Sequence, residues 1–364
     1  MVVDGLEPGR VERPATAEEL AELLRAADDA GEAVVPVGGG RALGLGDVPE
    51  RFDVALETRG LCRVLERSQA DLTVSVEAGI TVEELNRELA EIGQFLPIDP
   101  FNAPGHTIGG VLAAGLSGPL RLRYGSPRDF VIGLRVALPD GRLATSGGRV
   151  VKNVSGYDLN KLHQGALGSL GVIVAASFKV FPRPLHEVTL ETRHDDPWAE
   201  AARALGLAMP PIALEATSDG RLLARIAGTA DGVARMAREL GWTEVAPEAW
   251  DDHARRAGDA WARISVPPGR LRSVVSGLPA GATWWASPGV GVAHWTGELE
   301  AGALLATREA AEDAGGSLVL LGAPPQLKRH VGAWGTAPAT AAWMSRLRDA
   351  FDPQRTLSPG RYVI

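Results

Sequence analysis

The sequence predicts an α+β protein of two domains, the first over residues 1–185 and a smaller one over 186–340, followed by a closing segment, 341–364. Three observations carry this expectation. Helix and strand patterns alternate twice within the first hundred residues. The texture changes at Pro182 and Pro184, after which the chain to Gly335 is rich in alanine and holds eight of the nine tryptophans. A chain of 364 residues is also longer than one ordinary core fills.

Thr16-Ala-Glu-Glu19 has the form of a capping box, and Leu20, Leu23, Leu24 and Ala27 follow at helical spacing until Gly31. Ala33–Val37 reads as a buried strand. Asp71–Gly79 alternates like a second strand, and Thr81-Val-Glu-Glu84 caps a helix with Val82, Leu85, Leu89 and Ile92 on one face, ending near Gly93. Residues 129–147 form two apolar runs around Pro139-Asp140-Gly141, the chemistry of a hairpin turn. Residues 171–184 read as a strand closed by two prolines. The segment "GTAPAT" (335–340) marks the second boundary, before a short helix and a Pro/Gly-rich tail.

The net charge of −8 argues against a nucleic-acid footprint. One cysteine, Cys62, permits no internal disulfide and suits a reducing compartment. No apolar run reaches membrane-spanning length, and the charged start "MVVDGLEPGR" lacks the apolar centre of a signal peptide. The expected address is cytoplasmic, with membrane contact only through a partner.

Glycine loses more freedom on folding than any other residue, so clusters of it need a reason. "VPVGGGRALG" follows the strand at Val37, where phosphate-binding loops sit in α/β proteins. It contains neither G-x-G-x-x-G nor a P-loop. A second cluster, "APGHTIGGVLAAGLSGPLRLRYGSPRDF", brings small residues together with Arg121, Arg123 and Arg128. A third ends in Gly165-x-x-Gly168-x-x-Gly171 and leads into a strand. Three such turns suit one extended phosphate-containing ligand; the competing reading is a set of tight turns with no ligand.

These segments, with "VEAGITVEELNRELAEIGQFLPIDP", "GGRVVKNVSGYDLNKLHQGALGSLGVI" and the tail "FDPQRTLSPGR", occur in the order found in flavoproteins of the vanillyl-alcohol oxidase superfamily, which carry a bipartite FAD-binding domain of the p-cresol methylhydroxylase (PCMH) type. Within it the chain resembles the FAD-binding subunits of bacterial glycolate oxidases. The likeness covers about residues 13–184 and the last twenty. It implies an FAD-binding PCMH-type domain with a smaller α+β cap, and a C-terminal segment that returns to the FAD domain. In relatives the tail reads "NPGR"; here Ser358 replaces the asparagine.

The resemblance also implies site residues. Pro36, Val37, Gly38, Gly39, Gly40, Arg41, Ala42, Leu43 and Gly44 would wrap the FAD pyrophosphate. Thr107, Ile108, Gly109 and Gly110, then Ala114, Gly115 and Ser117, would hold the ribityl phosphate and approach the isoalloxazine. Gly168, Gly171 and Val172 would sit near the adenine and flavin edge. Pro104, Gly105, Gly118, Tyr124, Gly125 and Asp129 complete the expected FAD contacts, and Lys152, Asn153 and Tyr157 belong to the matched segment. Many relatives attach the flavin through a histidine in the first loop. No histidine precedes His106, so FAD is expected to be noncovalent.

Oxidising a 2-hydroxy acid needs an electron acceptor, a cation for the carboxylate and a base for the hydroxyl proton. Catalytic relatives carry clustered histidines, often with a metal. The seven histidines here, 106, 163, 186, 194, 253, 294 and 330, form no such cluster; no metal is expected, and the isolated chain is expected to oxidise glycolate or lactate slowly or not at all. His294 in "GVGVAHW" is the one candidate base. The expected function is the FAD-binding subunit of a glycolate-oxidase-like complex acting on glycolate or D-lactate, with a second flavoprotein subunit and an iron–sulfur subunit as partners. A single cysteine cannot hold a Cys-ligated cluster. Two alternatives stand beside it: a self-sufficient FAD-dependent oxidase or dehydrogenase, and a structural subunit without redox work.

Overall fold

The computed structural model describes residues 1–101, 104–148, 159–254 and 260–364. Lys152, Asn153 and Tyr157 lie outside these residues. Thr16 caps the helix Ala17–Asp29 by accepting from the Glu19 amide at 3.1 Å. The reciprocal arm differs from a capping box, because Glu19 accepts from the amide of Ala15 rather than Thr16. The expected box is complete at Thr81, where Glu84 and Thr81 each satisfy the other's backbone and start the helix Val82–Ala90.

Strands from the first half build three small sheets. Val34–Val37, Val54–Glu57 and Arg10–Glu12 pair in parallel, with Val54–Glu57 in the centre. A five-stranded antiparallel sheet runs in the order Val64–Ser68, Thr73–Glu77, Val172–Lys179, Val131–Ala137, Leu143–Gly147. Its last two strands are the expected hairpin, with Gly141 at φ +81°. Phe181–Pro182 pairs with Gln94–Phe95. Between these sheets the helices bury Leu20, Leu24, Leu85 and Leu89 completely.

The motif-poor second half is an eight-stranded antiparallel sheet. Its order is Thr243–Val245, His186–Arg193, Arg221–Gly228, Ala213–Thr217, Thr283–Ser287, Val292–Thr296, Trp261–Ser265, Ser317–Gly322. Period-two alternation of small and aromatic residues lets one face pack helices while the other meets the first half. Ala262, Ile264, Ala286, Ala293, Leu318 and Leu320 share one core with Leu271, Leu304 and Ala311 from the helices.

The C-terminal segment touches the first parallel sheet. The Val34 amide donates to Thr356 O at 2.7 Å, and the Ser358 amide to Val34 O at 2.9 Å. Ser358 adopts φ +46°, a left-handed conformation that asparagine tolerates better than serine. Lys328, from the second half, joins the same region: its buried ammonium meets the Asp4 carboxylate at 2.7 Å and the Gly44 carbonyl at 2.7 Å.

Candidate active site

The strand Val34–Val37 opens into a glycine loop that forms one wall of a cleft. The cleft is lined by Pro36, Val37, Gly38, Gly39, Gly40, Arg41, Ala42 and Leu43, then by His106, Thr107, Gly109, Gly110, Ala113 and Ala114, and finally by Gly168, Val172 and Arg361. The amides of Gly38 to Leu43 make no hydrogen bond to any described residue. A row of free N–H groups past a strand's carboxyl end is suited to phosphate oxygens.

The glycines serve different ends. A Cβ on Gly39 would lie 1.7 Å from Gly105 O, and one on Gly38 would lie 2.0 Å from Thr107 Oγ1. Those two are needed because the first and second loops touch, Gly39 against the Gly105 backbone and Gly38 against the Thr107 side chain. Gly40 and Gly168 both adopt φ +73°. Gly110 differs: its Cβ would meet only Thr107 Oγ1, at 3.0 Å, and otherwise open space. The cleft is therefore a cradle whose floor at Gly110 a side chain would fill, and whose amides await acceptors. These residues fit a dinucleotide. Arg361, which sequence reasoning left within the tail motif, holds the loop by donating to Leu43 O and Leu45 O, both at 2.7 Å. Burial pushes its guanidinium down to about 10.

A second pocket adjoins the first and shares Arg41, Ala42 and His106 with it. Leu116, Ser117, Gly118 and Arg121 form its near wall; Trp261, Arg263, Ser287, Val292 and His294 of the eight-stranded sheet form its far wall. Three arginines and two histidines line it, and among the described residues no carboxylate does. Arg263 has no hydrogen-bond or ion-pair partner among the described residues, and its Nε is enclosed. Burial lowers its pKa, and the neighbouring Arg121 adds to the effect. A buried cation in such company is costly unless an anion joins it.

His294 faces this pocket opposite Arg263 in the strand register. Its ring stacks on Trp285 at 5.0 Å and Trp261 at 5.3 Å, with the Phe101 ring edge at 4.9 Å. His106 is buried, with Nε2 bonded to Phe101 O at 3.0 Å. Burial lowers its pKa, so it favours the neutral ring. Among the described residues no three His, Cys, Asp or Glu side chains cluster as metal ligands.

Other residues named from the sequence sit elsewhere. Gly105 lies on the outer rim of the first loop. Ile108 is core. Gly44 accepts from Lys328, Gly115 ends the helix Ile108–Ala114 with φ +63°, and Gly171 abuts Ala137 and His163. Pro104 is exposed. Tyr124 packs edge-on against Phe95 and Phe181, while Gly125 lies against Asp129, which caps the turn at Ser126. None of these lines either cavity. Arg263 and Ser287 carried no signal in the sequence; an arginine alternating with the apolar Ala262 and Ile264 was the only clue available. Among the described residues, no helix is long and apolar enough to cross a membrane.

Comparison with known proteins fits this geometry. Residues 8–147 match the model of an FAD binding domain family. The chain is 32% identical over 312 residues to glycolate oxidase subunit GlcE of Escherichia coli, covering 82% of this chain and 84% of that one. It is 36% identical over 181 residues to the mitochondrial D-lactate dehydrogenase [cytochrome] of Arabidopsis thaliana, and 33% identical over 183 residues to glycolate oxidase subunit GlcD of Bacillus subtilis. Those matches cover 50% of this chain in each case, and the chain spans 32% and 39% of the two relatives' own lengths. In fold it resembles alkyldihydroxyacetonephosphate synthase, with a TM-score of 0.69 at 16% identity over 97% of this chain and 77% of that one. A relative of matching length at this identity fixes the family: the chain belongs to the PCMH-type FAD-binding oxidoreductases that include the glycolate oxidase subunits and the D-lactate dehydrogenases.

Proposed function

We propose that the chain is the noncovalent FAD-binding subunit of a glycolate-oxidase-like complex that oxidises a small 2-hydroxy acid and passes electrons to an iron–sulfur partner. One observation carries the reading. The glycine cleft adjoins a pocket holding an arginine, Arg263, that has no ion-pair partner among the described residues, and the two share Arg41 and His106. A cofactor in the cleft would thus meet a small anion in the pocket.

FAD, when bound, supplies the two-electron acceptor. The chain's own residues do the rest. The Gly38–Leu43 amides and Arg361 shape the phosphate cradle, with Gly168–Val172 closing its inner edge. Arg263 fixes the substrate carboxylate, and Trp261 and Trp285 exclude water around it. His106, the first histidine in the chain, is held by Phe101 O and leaves the first loop without an attachment group. Cys62 is exposed and single, so a Cys-ligated cluster belongs to another polypeptide. The similarity to GlcE supports assembly with a second flavoprotein subunit.

The division into an FAD domain, 1–185, a cap, 186–340, and a returning tail, 341–364, accompanies this reading. The enclosed pocket within one chain also favours some turnover without partners. The test is anaerobic mixing of the purified protein with glycolate, D-lactate and the matching alcohols that lack a carboxylate. We expect flavin bleaching by a 2-hydroxy acid alone, and intact FAD released on acid precipitation. Bleaching by the alcohols at equal rate, or flavin that stays with the denatured chain, would overturn the respective claim.

A further inference from the structure

The pocket holds more positive charge than one carboxylate would meet. Arg263 lies on the strand Trp261–Ser265, which is paired on both sides, by Val292–Thr296 and Ser317–Gly322. Its neighbours Ala262 and Ile264 are fully buried in the core behind the sheet. Alternation therefore turns Arg263 to the opposite face, into the pocket. Arg121 comes from the first half of the chain and starts the helix Arg121–Tyr124. Its backbone is fixed from below. The Arg121 amide donates to Gly118 O at 3.1 Å, and the Leu120 amide donates to Asp99 Oδ2 at 2.9 Å. The two guanidinium groups thus belong to opposite walls, each carried on held backbone.

Neither group has a hydrogen-bond or ion-pair partner among the described residues. Other arginines with an enclosed Nε differ in this. Arg308, Arg348 and Arg361 each donate from their terminal nitrogens to two carbonyls. The nearest carboxyl groups do not offset the pocket charge, because they stand behind its walls. Asp99 lies behind Gly118, where a Cβ would sit 2.7 Å from its Oδ1. Glu215 lies beyond Ser287 and accepts from that hydroxyl. Arg121 and Arg263 are also close enough to repel: Arg121 adds to burial in lowering the Arg263 pKa. The third arginine, Arg41, stands where the cleft meets the pocket and is shared by both, so its charge is available to the phosphates of a cofactor in the cleft. One substrate carboxylate would answer one of the other two guanidinium groups and leave the second facing a like charge. A second carboxylate would answer both.

We propose that the pocket selects a 2-hydroxy dicarboxylic acid, with one carboxylate on Arg263 and the other on Arg121. The proposal deepens, and rests on, the reading that a 2-hydroxy acid is oxidised here. The reaction is unchanged by the second carboxylate. The α-carbon gives its hydrogen and two electrons to oxidised flavin, the hydroxyl proton is released, and the product is a 2-oxo dicarboxylate. Arg121 sets specificity and takes no part in the bond changes.

The test uses FAD-loaded protein at pH 7 and acids matched in chain length. Succinate against butyrate, and glutarate against valerate, exchange one carboxylate for a methyl group and carry no hydroxyl to oxidise. Calorimetric titration reads their affinities. We expect the dicarboxylate to bind ~10-fold more tightly in at least one pair, the value of one added charge-assisted hydrogen bond. That ratio falls toward one in Arg121→Gln and is partly kept in Arg121→Lys. In parallel, anaerobic flavin bleaching compares malate with 2-hydroxybutyrate, and 2-hydroxyglutarate with 2-hydroxyvalerate. The favoured dicarboxylate should show the lower KM, and Arg121→Gln should remove that advantage. Equal affinities within both pairs, or a ratio undiminished in Arg121→Gln, would overturn this inference, and bleaching by the monocarboxylic acids would leave the function standing. Tighter binding of a dicarboxylate with no bleaching by any 2-hydroxy acid would overturn the function and support the two-anion pocket. Failure of every acid to bind would overturn both.

Discussion

The two walls of the site are built in different ways. The glycine cleft is made of loops whose backbone does the work, and its residues lie in three short runs. The arginine pocket is closed by an antiparallel sheet whose side chains do the work, and Arg263, Ser287 and His294 come from three separate strands. A backbone site leaves a local mark, because only glycine fits where Gly39 meets Gly105. A side-chain site on a sheet leaves none, because alternating strands carry an inward residue at every second position whether or not it has a function.

The largest effect expected from breaking this contrast is at Gly39. Valine there would drive its Cβ into the Gly105 carbonyl, 1.7 Å away, with no flexible side chain to yield. Gly39→Val should be colourless and should melt well below the unaltered protein. Gly110→Val meets only the Thr107 hydroxyl, so it should lose FAD while losing only ~1–3 kcal/mol of stability. Flavin content and urea midpoints of the two variants separate the cases. If Gly39→Val keeps FAD, the loops do not pack as described.

The two walls should also answer pH in opposite senses. His163 sits behind the third glycine turn, against Phe351. Burial lowers its pKa from 6.5 to about 4. Its folded value is depressed, so the unfolded chain binds more protons and stability rises with pH between about 4 and 6.5. Asp99, behind the pocket, is raised from 3.8 to about 7. Here the folded state holds the proton longer, so stability falls as pH rises through that window. Each contribution is ~3–5 kcal/mol at full development. Urea midpoints between pH 4 and 8 should show Asp99→Asn gaining relative stability toward pH 8, and His163→Asn gaining it toward pH 4. Parallel profiles for the two variants would refute the assignment.

Arg263 sharpens the comparison through its ligand. Removing a desolvated cation that has no ion-pair partner among the described residues relieves a desolvation cost, so Arg263→Met should melt higher than the unaltered protein when both are empty. It should also bind glycolate more weakly by about 10- to 100-fold, the value of a charge-assisted hydrogen bond of ~1.5–3 kcal/mol, with FAD retained. A lower melting temperature together with unchanged affinity would remove Arg263 from the anion site.

Much of the fold was legible in the sequence for local reasons. The caps at Thr16 and Thr81, the turn at Gly141 and the strand at Val172 all follow from short patterns. The three glycine runs were legible too, but their physical reason was only half visible. Gly38 and Gly39 answer to a neighbouring loop some 65 residues away in sequence, and such contact is invisible along the chain. Ile108–Ala114 is a helix despite two glycines, since tertiary contacts such as the Gly109 amide to Ala78 O override weak propensity. The eight-stranded sheet, with Glu215 behind Ser287, could not be read because its pairings link distant strands. His294 was named for its motif and does face the pocket; Arg263, opposite it, was not named.

The smallest effect compares one substitution in both halves. Thr81 and Thr229 each cap a helix, by accepting from the amides of Glu84 and Gly232 at 3.1 and 3.3 Å. Replacing either by alanine should cost ~0.5–2 kcal/mol. Only Thr81 also reaches the flavin side: it bridges to Thr107, and Glu83 of its helix accepts from the Gly105 amide. Thr81→Ala should therefore weaken FAD retention as well as stability, because the second glycine turn loses a fixed neighbour. Thr229→Ala should lower stability alone, since its helix packs on the far sheet against Leu214 and Ile226. Flavin dissociation rates measured alongside urea midpoints distinguish the two. Equal flavin loss in both variants would mean that the cleft follows global stability rather than the loops that form it.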